Sequence, residues 1–384
     1  MRIFLSAGEQ SGDLHGAAVT RELFRLRPDA ELLGLGGNRM ESAGVSILYP
    51  LPRLALIGFI EVAKHLPQLS MVWRIVRRSW LRQRPDVIVL IDFPGLHLRL
   101  ARLAQSFRIP VVYYIAPQLW AWGENRVTAL RNRVKQLLLI LPFEEQFFRR
   151  HNVDCVFVGH PLMDALANIE PRSYKPIVPE AATIGLLPGS RRSELSYMLP
   201  PMLDAARRVR SIHDRTTFVL PLAETLEESV LSRVRVPSWV EVVRDPGWTH
   251  RLRMDLAWTS SGTATLENAV IGVPMAIVYR TGRLNAMLAR RLVRTPYIGL
   301  ANLVAGCGVC PEFIQEQVRS ETLAGWTLDF LEDQDRQRVM LEGLHRARKA
   351  LGPQGASHRA AIEILQIAAG GNRQSLGPMI NADP

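Results

Sequence analysis

An α/β chain of two Rossmann-like, doubly wound halves is the fold this sequence predicts, and three observations predict it. Short apolar runs, nearly continuous rather than alternating, recur along 384 residues with helix-length stretches between them. Such runs suit parallel strands covered on both faces. A polar, Pro-rich segment, "IEPRSYKPIVPEAA", divides them into two series. Several runs end in small-residue corners that open a helix, the layout of a sheet edge facing a ligand crevice.

The first series comprises residues 3–6, 31–35, 87–91, 111–115, 137–141 and 155–158, and the second residues 183–187, 217–220, 241–243, 256–258 and 275–279. The first domain is expected to span 1–170 and the second 171–350. Residues 351–368 read as a C-terminal helix packing back on the first domain, and 369–384 as a disordered tail.

The first corner, "SAGEQSGDLHGA", follows the apolar stretch 1–5 and precedes a helical apolar stripe from Leu14 to Leu26. Gly8 and Gly12 permit a tight turn and a close approach by another group. Glu9, Asp13 and His15 add chemistry to it. Further on, "DVIVLIDFPG" carries Asp92 to the end of a fully apolar strand, where a carboxylate serves as a general base or caps the next turn. "YYIAPQLWAWGENRV" places Gln118, Trp120 and Trp122 in a loop after another strand, an apolar wall for a sugar or acyl chain or else part of the core.

Two stretches read as basic amphipathic helices. In 64–84, Leu69, Trp73, Val76 and Trp80 share one face and Arg74, Arg78 and Arg82 another; 283–295 repeats the design with Arg290, Arg291 and Arg294. Such a helix lies on an anionic membrane surface or packs its apolar face into a core.

In the second half, "IGLLPGSRRSEL" runs a strand into Gly189, Ser190 and Arg191 at a helix start. Helix N-termini and arginine both favour phosphate, so a pyrophosphate fits here; the alternative is a turn that only caps its helix. A Walker loop is absent. "WTSSGTATLENA" presents Ser260, Ser261, Gly262 and Thr263 as a second donor-rich corner, with Glu267 one turn on, able to accept both hydroxyls of a ribose. Here too capping is the plain alternative.

Composition narrows the class. With 47% hydrophobic and 22% charged residues the chain is a globular protein, not a disordered or fibrous one. Its uncharged apolar stretches, such as 137–143, are shorter than the roughly 20 residues of a membrane span. The N-terminus lacks the layout of a secretory signal, so a cytoplasmic location is expected. Net charge is +11, from 47 Lys plus Arg against 36 Asp plus Glu, which favours phosphate-bearing partners. Nucleic acid is not among those expected: the arginines gather beside Trp and Leu, and no recognised nucleic-acid motif appears. Cys307 and Cys310 lack the second pair that a structural zinc site needs, so they read as loop cysteines and no metal is expected.

Taken together, seven segments resemble the lipid-A-disaccharide synthase family: "SAGEQSGDLHGA", "LIDFPG", "YYIAPQLWAWGENRV", "LPFEEQFFRRHNVDCVFVGHPLMD", "LLPGSRRSEL", "SSGTATLENAVIGVPMAIVYR" and "RLVRTPYIGLANLVAG". The resemblance implies a GT-B fold, two Rossmann-like domains facing each other across a cleft. It also implies an inverting, metal-independent transfer without cofactor. UDP-2,3-diacylglucosamine would be the donor, 2,3-diacylglucosamine 1-phosphate the acceptor, and a β-1,6-linked disaccharide 1-phosphate plus UDP the products. It implies Asp92 as general base, with Glu9 and His15 orienting acceptor or base. Gly189, Ser190, Arg191, Ser261, Gly262 and Thr263 would lie near the pyrophosphate and Glu267 near the ribose. Ser11, Gly12, Asp13, Gln118, Trp120 and Asn302 would line the acceptor side or the cleft. A homodimer and peripheral association with the anionic inner face of the cytoplasmic membrane follow from the same resemblance.

The chain departs from the family's usual pattern in places. Where "IDAPDFN" is typical it has "IDFPGLHLRL", so that Gly95 stands for an Asp and His97 for an Asn. "LVAGCGVCPEF" replaces a charged stretch. The alternatives are a related GT-B UDP-sugar transferase or epimerase acting on a different lipid or cell-wall sugar, and a lipid-sugar binder without turnover. Retention of Asp92, Glu9 and Glu267 argues against the last.

Overall fold

The computed structural model describes residues 1–51, 66–223, 226, 228–282, 286–287 and 295–370. Two compact units divide the chain: Met1–Ala165 with the chain from Gly352 onward, and Leu166–Leu351.

In the first unit the described residues form seven strands: β1 (Arg2–Ala7), β2 (Glu31–Leu35), β3 (Ser46–Tyr49), β4 (Val87–Ile91), β5 (Val111–Tyr114), β6 (Gln136–Leu139) and β7 (Cys155–Phe157). They lie in the order β3-β2-β1-β4-β5-β6-β7, and every pairing is parallel. All five residues of β4 are wholly buried. The reason is that the sheet is covered twice: Ile88 and Leu90 face one core, and Val87, Val89 and Ile91 face the other. A strand with two dry faces has no place for a charged side chain until it leaves the sheet.

The helix Leu66–Arg82 covers one face, through Val72, Val76 and Trp80. Trp80 meets Phe4 and Phe107 edge-on, at centroid distances of 5.2 and 5.7 Å. Its apolar stripe therefore belongs to the core, while Arg74, Arg78 and Arg82 stay exposed on the other face; the Leu69 side chain lies outside the described residues. Arg290, Arg291 and Arg294 of the other basic stretch also lie outside them. The helices Gln10–Leu26 and Ala356–Ala368 cover the opposite face, the latter through Ala360, Ala361, Ile364 and Leu365.

The second unit holds β8 (Thr183–Leu187), β9 (Thr217–Pro221), β10 (Val240–Val243), β11 (Leu256–Ser260), β12 (Met275–Tyr279) and β13 (Glu312–Ile314), in the order β10-β9-β8-β11-β12-β13. These pairings too are parallel. β3 and β13 are sheet edges that the apolar runs did not announce. Both are only part-buried, and an edge strand needs no continuous apolar run. Among the described residues no helix is long and apolar enough to cross a membrane.

Trp80→Ala should destabilise the first unit by about 3–5 kcal/mol, the cost of emptying a wholly buried indole site. Urea denaturation followed by circular dichroism reads it, and a loss under about 1 kcal/mol would show that this helix is anchored elsewhere.

Candidate functional site

Each sheet reverses its strand order once, between β1 and β4 in the first unit and between β8 and β11 in the second. Loops that leave such a pair turn to opposite sides and open a crevice at the carboxyl edge. Most of the chemistry singled out in the sequence collects at these two places.

In the first unit β1 runs into Gly8 and Glu9, and β4 into Asp92. A Cβ on Gly8 would lie 2.1 Å from the ring of Phe93. The first glycine of the signature turn is thus required by the aromatic side chain next to Asp92. Asp92 and Phe93 both have left-handed backbones, φ 52° and 51°. The Asp92 carbonyl accepts from the Tyr113 hydroxyl at 2.6 Å and lies 2.6 Å from His97 Nδ1. Burial pushes the Asp92 carboxyl up to about 6; the Phe93 N–H pulls it back and the Glu9 charge adds to the rise. Glu9 and Asp92 are therefore brought together, with Glu9 exposed.

Gln118 is exposed at the start of the short helix Leu119–Trp122, and Ser11 is exposed while Gly12 is buried. Trp120 is held firmly: its Nε1 donates to Glu144 Oε1 at 3.0 Å and its ring meets Phe143 edge-on at 4.8 Å. Glu144, which the sequence reading passed over, is 1% exposed. Burial pushes its carboxyl up to about 7 against the pull of the Trp120 and Leu141 N–H groups, and the charge of Asp92 raises it further. Its only signal in sequence is an acidic residue just past an apolar strand. Burial holds the His15 imidazole down to about 4. His15 also lowers His160, which burial has already pushed down to about 3.

Two residues expected at the acceptor side or the cleft do other work. Asp13 is 6% exposed, and its carboxylate accepts from the main-chain N–H groups of Gly37, Arg39 and Met40 at 2.7, 3.0 and 3.2 Å. It anchors the start of the helix Asn38–Ser42. Asn302 is wholly buried; its amide nitrogen donates to the Cys310 carbonyl and to Glu312, and its amide oxygen accepts from the Cys310 N–H. Both are structural because buried main-chain groups need partners. Cys310 is buried with them and Cys307 is exposed.

In the second unit the ends of β8, β9 and β11 enclose a pocket of about 380 Å³. Gly189, Ser190, Arg191, Ser261, Gly262, Thr263 and Glu267 all line it. Gly189 and Gly262 have φ of 117° and 118°, a conformation open to glycine and strained for other residues. Gly262 is the N-cap of the helix Thr263–Ile271 and, having no side chain, supplies no side-chain cap to it. The first corner differs. The Glu194 carboxylate accepts from the N–H groups of Ser190 and Arg191 at 2.9 and 3.2 Å and pairs with the Arg191 guanidinium at 3.1 Å. This helix start carries its own anion, and the Glu three residues past the cap was the sequence signal for it.

Glu267 is paired with Arg251, and both are mostly buried. Asp245 holds the turn that delivers Arg251, accepting from the N–H groups of His250 and Arg251 at 2.9 and 3.1 Å. Neither Arg251 nor Asp245 stood out in the sequence, where they lie in the polar stretch "RDPGWTHRLR". Among the described residues no cluster of three or more His, Cys, Asp or Glu has a metal-holding arrangement.

The family described as lipid-A-disaccharide synthetase matches residues 3–366. Similar proteins include the lipid-A-disaccharide synthase of Koribacter versatilis, 37% identical over 96% of this chain and 99% of that one. That of Geobacter sulfurreducens is 36% identical over 95% and 97%. Among solved structures, a putative UDP-N-acetylglucosamine 2-epimerase from Listeria monocytogenes has a TM-score of 0.66 at 14% identity, covering 97% of this chain and 98% of its own. The calicheamicin glycosyltransferase has a TM-score of 0.60 at 16%, covering 96% and 98%. At these identities the solved structures establish the two-domain GT-B fold.

Asn302→Ala should lower stability by about 3 kcal/mol by taking the side-chain partner from both the N–H and the carbonyl of buried Cys310. Binding of UDP to the folded fraction should not change, because Asn302 does not line the pocket. Thermal unfolding with and without UDP separates the two; weakened UDP binding at full stability would return Asn302 to the site.

Proposed function

This chain belongs to the lipid-A-disaccharide synthase family and is a glycosyltransferase of lipid A biosynthesis, and from that premise we propose how its residues divide the work. The donor is UDP-2,3-diacylglucosamine and the acceptor is 2,3-diacylglucosamine 1-phosphate. The acceptor's 6-hydroxyl attacks the anomeric carbon from the face opposite UDP, giving the inverted β-1,6 linkage. Asp92 takes the hydroxyl proton. The observation that supports this most is the placement of Asp92 directly after β4 at the switch-point edge, with Glu9 beside it. Burial raises its carboxyl to about 6, toward the range in which a general base is effective near neutral pH.

UDP occupies the second-unit pocket. Its diphosphate meets the Thr263–Ile271 helix start and the hydroxyls of Ser261 and Thr263. Arg191, whose side chain is 77% exposed, offsets the charge that builds on the leaving group. Glu267 accepts the ribose hydroxyls, with Arg251 fixing its carboxylate. Glu9 maintains the field at Asp92. The enzyme works at the inner face of the cytoplasmic membrane as a homodimer, drawn there by exposed arginines such as Arg74, Arg77, Arg78 and Arg82. Because the apolar face of that helix lies in the core, binding to anionic vesicles should weaken steeply with salt.

Asp92→Ala should lower kcat by about 1,000-fold in a detergent assay of UDP release with EDTA present. UDP binding should persist in that variant. In the parent, kcat should rise with pH through about 6, because only the ionised carboxylate accepts a proton. Near-normal turnover in the variant, or a profile flat across that range, removes Asp92 from the role of base.

Glu267→Ala should weaken UDP binding by about 10-fold or more while leaving uracil-free pyrophosphate binding unaffected, as expected for hydrogen bonds to a ribose. Calorimetric titration with both ligands checks it; equal losses would place Glu267 at the phosphates instead.

A further inference from the structure

His97, which stands where the family typically has Asn, is wholly buried and has both ring nitrogens engaged. Nδ1 lies 2.6 Å from the Asp92 carbonyl oxygen. A carbonyl only accepts, so Nδ1 carries the proton. Nε2, 2.8 Å from Ser6 Oγ, is then the acceptor for the Ser6 hydroxyl. Burial pushes the imidazole down to about 4, which keeps it neutral and in this tautomer at physiological pH. Tyr113 donates its hydroxyl to the same Asp92 oxygen at 2.6 Å. Ser6 lies in β1, Asp92 follows β4 and Tyr113 lies in β5, and these strands are neighbours. Tyr113 ties β5 to the Asp92 carbonyl directly, and Ser6 ties β1 to it through the His97 ring.

The need for that tie is visible in the backbone. Two consecutive residues with side chains, Asp92 and Phe93, hold the left-handed conformation as β4 turns into the helix Pro94–Ser106. Such residues persist only where the surroundings over-determine them. The Phe93 ring is lodged against Gly8 on one side, and the Asp92 carbonyl is gripped on the other. Rotation about the Asp92 backbone would swing its carboxylate with it.

We propose that His97 and Tyr113 are positioning residues that clamp the Asp92 main chain in its left-handed conformation and so aim the carboxylate at the acceptor hydroxyl. The inference rests on Asp92 being the base. The ring edges support a rigid clamp, since Phe93, His97 and Tyr113 stand edge-on in series at 5.8 and 6.2 Å. The groups facing the Asp92 carboxyl are Glu9 from the turn after β1, Tyr113 from β5, Glu144 from the helix Glu144–Arg150 and the Phe93 N–H. Release of the clamp lets the carboxylate leave this buried, acid-lined position, and its pKa should fall toward the ordinary carboxylate range.

The test compares Tyr113→Phe, His97→Leu, His97→Asn and Asp92→Asn in the full chain by steady-state kinetics across pH, with UDP binding as the check on folding. Tyr113→Phe, which deletes one oxygen, and His97→Leu should each lower kcat by about 10- to 100-fold. KM for either substrate should stay within about twofold. The acid limb of kcat should move down by about one pH unit. His97→Asn keeps an N–H donor and should recover at least about tenfold of the His97→Leu loss. A Tyr113→Phe enzyme with parental kcat and acid limb overturns the clamp. So does a kcat loss whose limb stays in place, which is an ordinary stability defect, and so does a change in KM alone. If His97→Leu fails to fold, Tyr113→Phe decides. If Asp92→Asn itself turns over, the base reading falls; if Asp92→Asn is inactive while Tyr113→Phe is normal, only the clamp falls.

Discussion

Dryness on both faces of each sheet is the constraint from which the rest of this protein follows. β1 and β4 are apolar and buried along nearly their whole lengths because a helical layer covers each side. Between the covered faces the few polar side chains that occur are buried and hydrogen-bonded, as Ser6 is to His97 and Thr259 to Asn268. Charged ones gather where strands end, and parallel strands all end on one edge. The reversal of strand order between β1 and β4, and again between β8 and β11, opens that edge at one point in each unit. Asp92 and the Gly262 corner are where they are for the same reason. A carboxylate that had to stay solvated could not sit one residue earlier in β4.

The edge has its own cost: loops there expose main-chain N–H groups that the sheet does not satisfy. The chain meets this repeatedly with a buried or half-buried carboxylate. Asp13 serves the N–H groups of residues 37, 39 and 40, and Glu194 serves Ser190 and Arg191. Asp164 accepts from Gly355, Ala356 and Ser357 at the start of the C-terminal helix, and Glu312 accepts from Ile298 and Gly299. A carboxylate suits the task because it accepts several hydrogen bonds at once and favours the positive end of a helix. Acidic residues in signature motifs are therefore of two kinds here. Asp13 and Glu9 sit four residues apart in one turn; Asp13 holds the fold, while Glu9 is exposed and acts on Asp92.

That distinction marks the limit of what the sequence made legible. The strands were legible because a doubly covered strand leaves a continuous apolar run, and the two small-residue corners of the second unit, which line one pocket, because each follows such a run directly. The half-buried edges β3 and β13 left no such trace. The work of Asp13 could not be read locally, since its partners lie 24 to 27 residues away. Arg251 reaches Glu267 across 16 residues and two loops, so its place in the pocket is a product of the fold alone. Glu194 is the contrary case: its partner Ser190 is four residues away, and the capping spacing was present in the motif itself.

The arginine excess is the remaining sequence feature whose meaning changes once the fold is known. A net charge of +11 points outward, toward phosphate. Several arginines instead point inward, to main-chain carbonyls. Arg348 donates to Val270, Arg359 to Val158, Gln354 and Pro353, and Arg244 to Ala223 and Leu226. Burial lowers the pKa of Arg348 and Arg359. A guanidinium fits this use because its five donors in a rigid fork satisfy several carbonyls where a chain leaves an element. Others form pairs three or four residues apart on helix surfaces, such as Arg149 with Glu145 and Arg207 with Asp204. Pairs of that kind contribute only about 0.3–0.5 kcal/mol each. At the second-unit pocket Arg191 is paired with Glu194 and Arg251 with Glu267, while exposed arginines remain on the helix Leu66–Arg82 and elsewhere, among them Arg99, Arg102, Arg131 and Arg150. Charge thus identifies the kind of partner, and only burial and geometry tell which arginines are available to meet it.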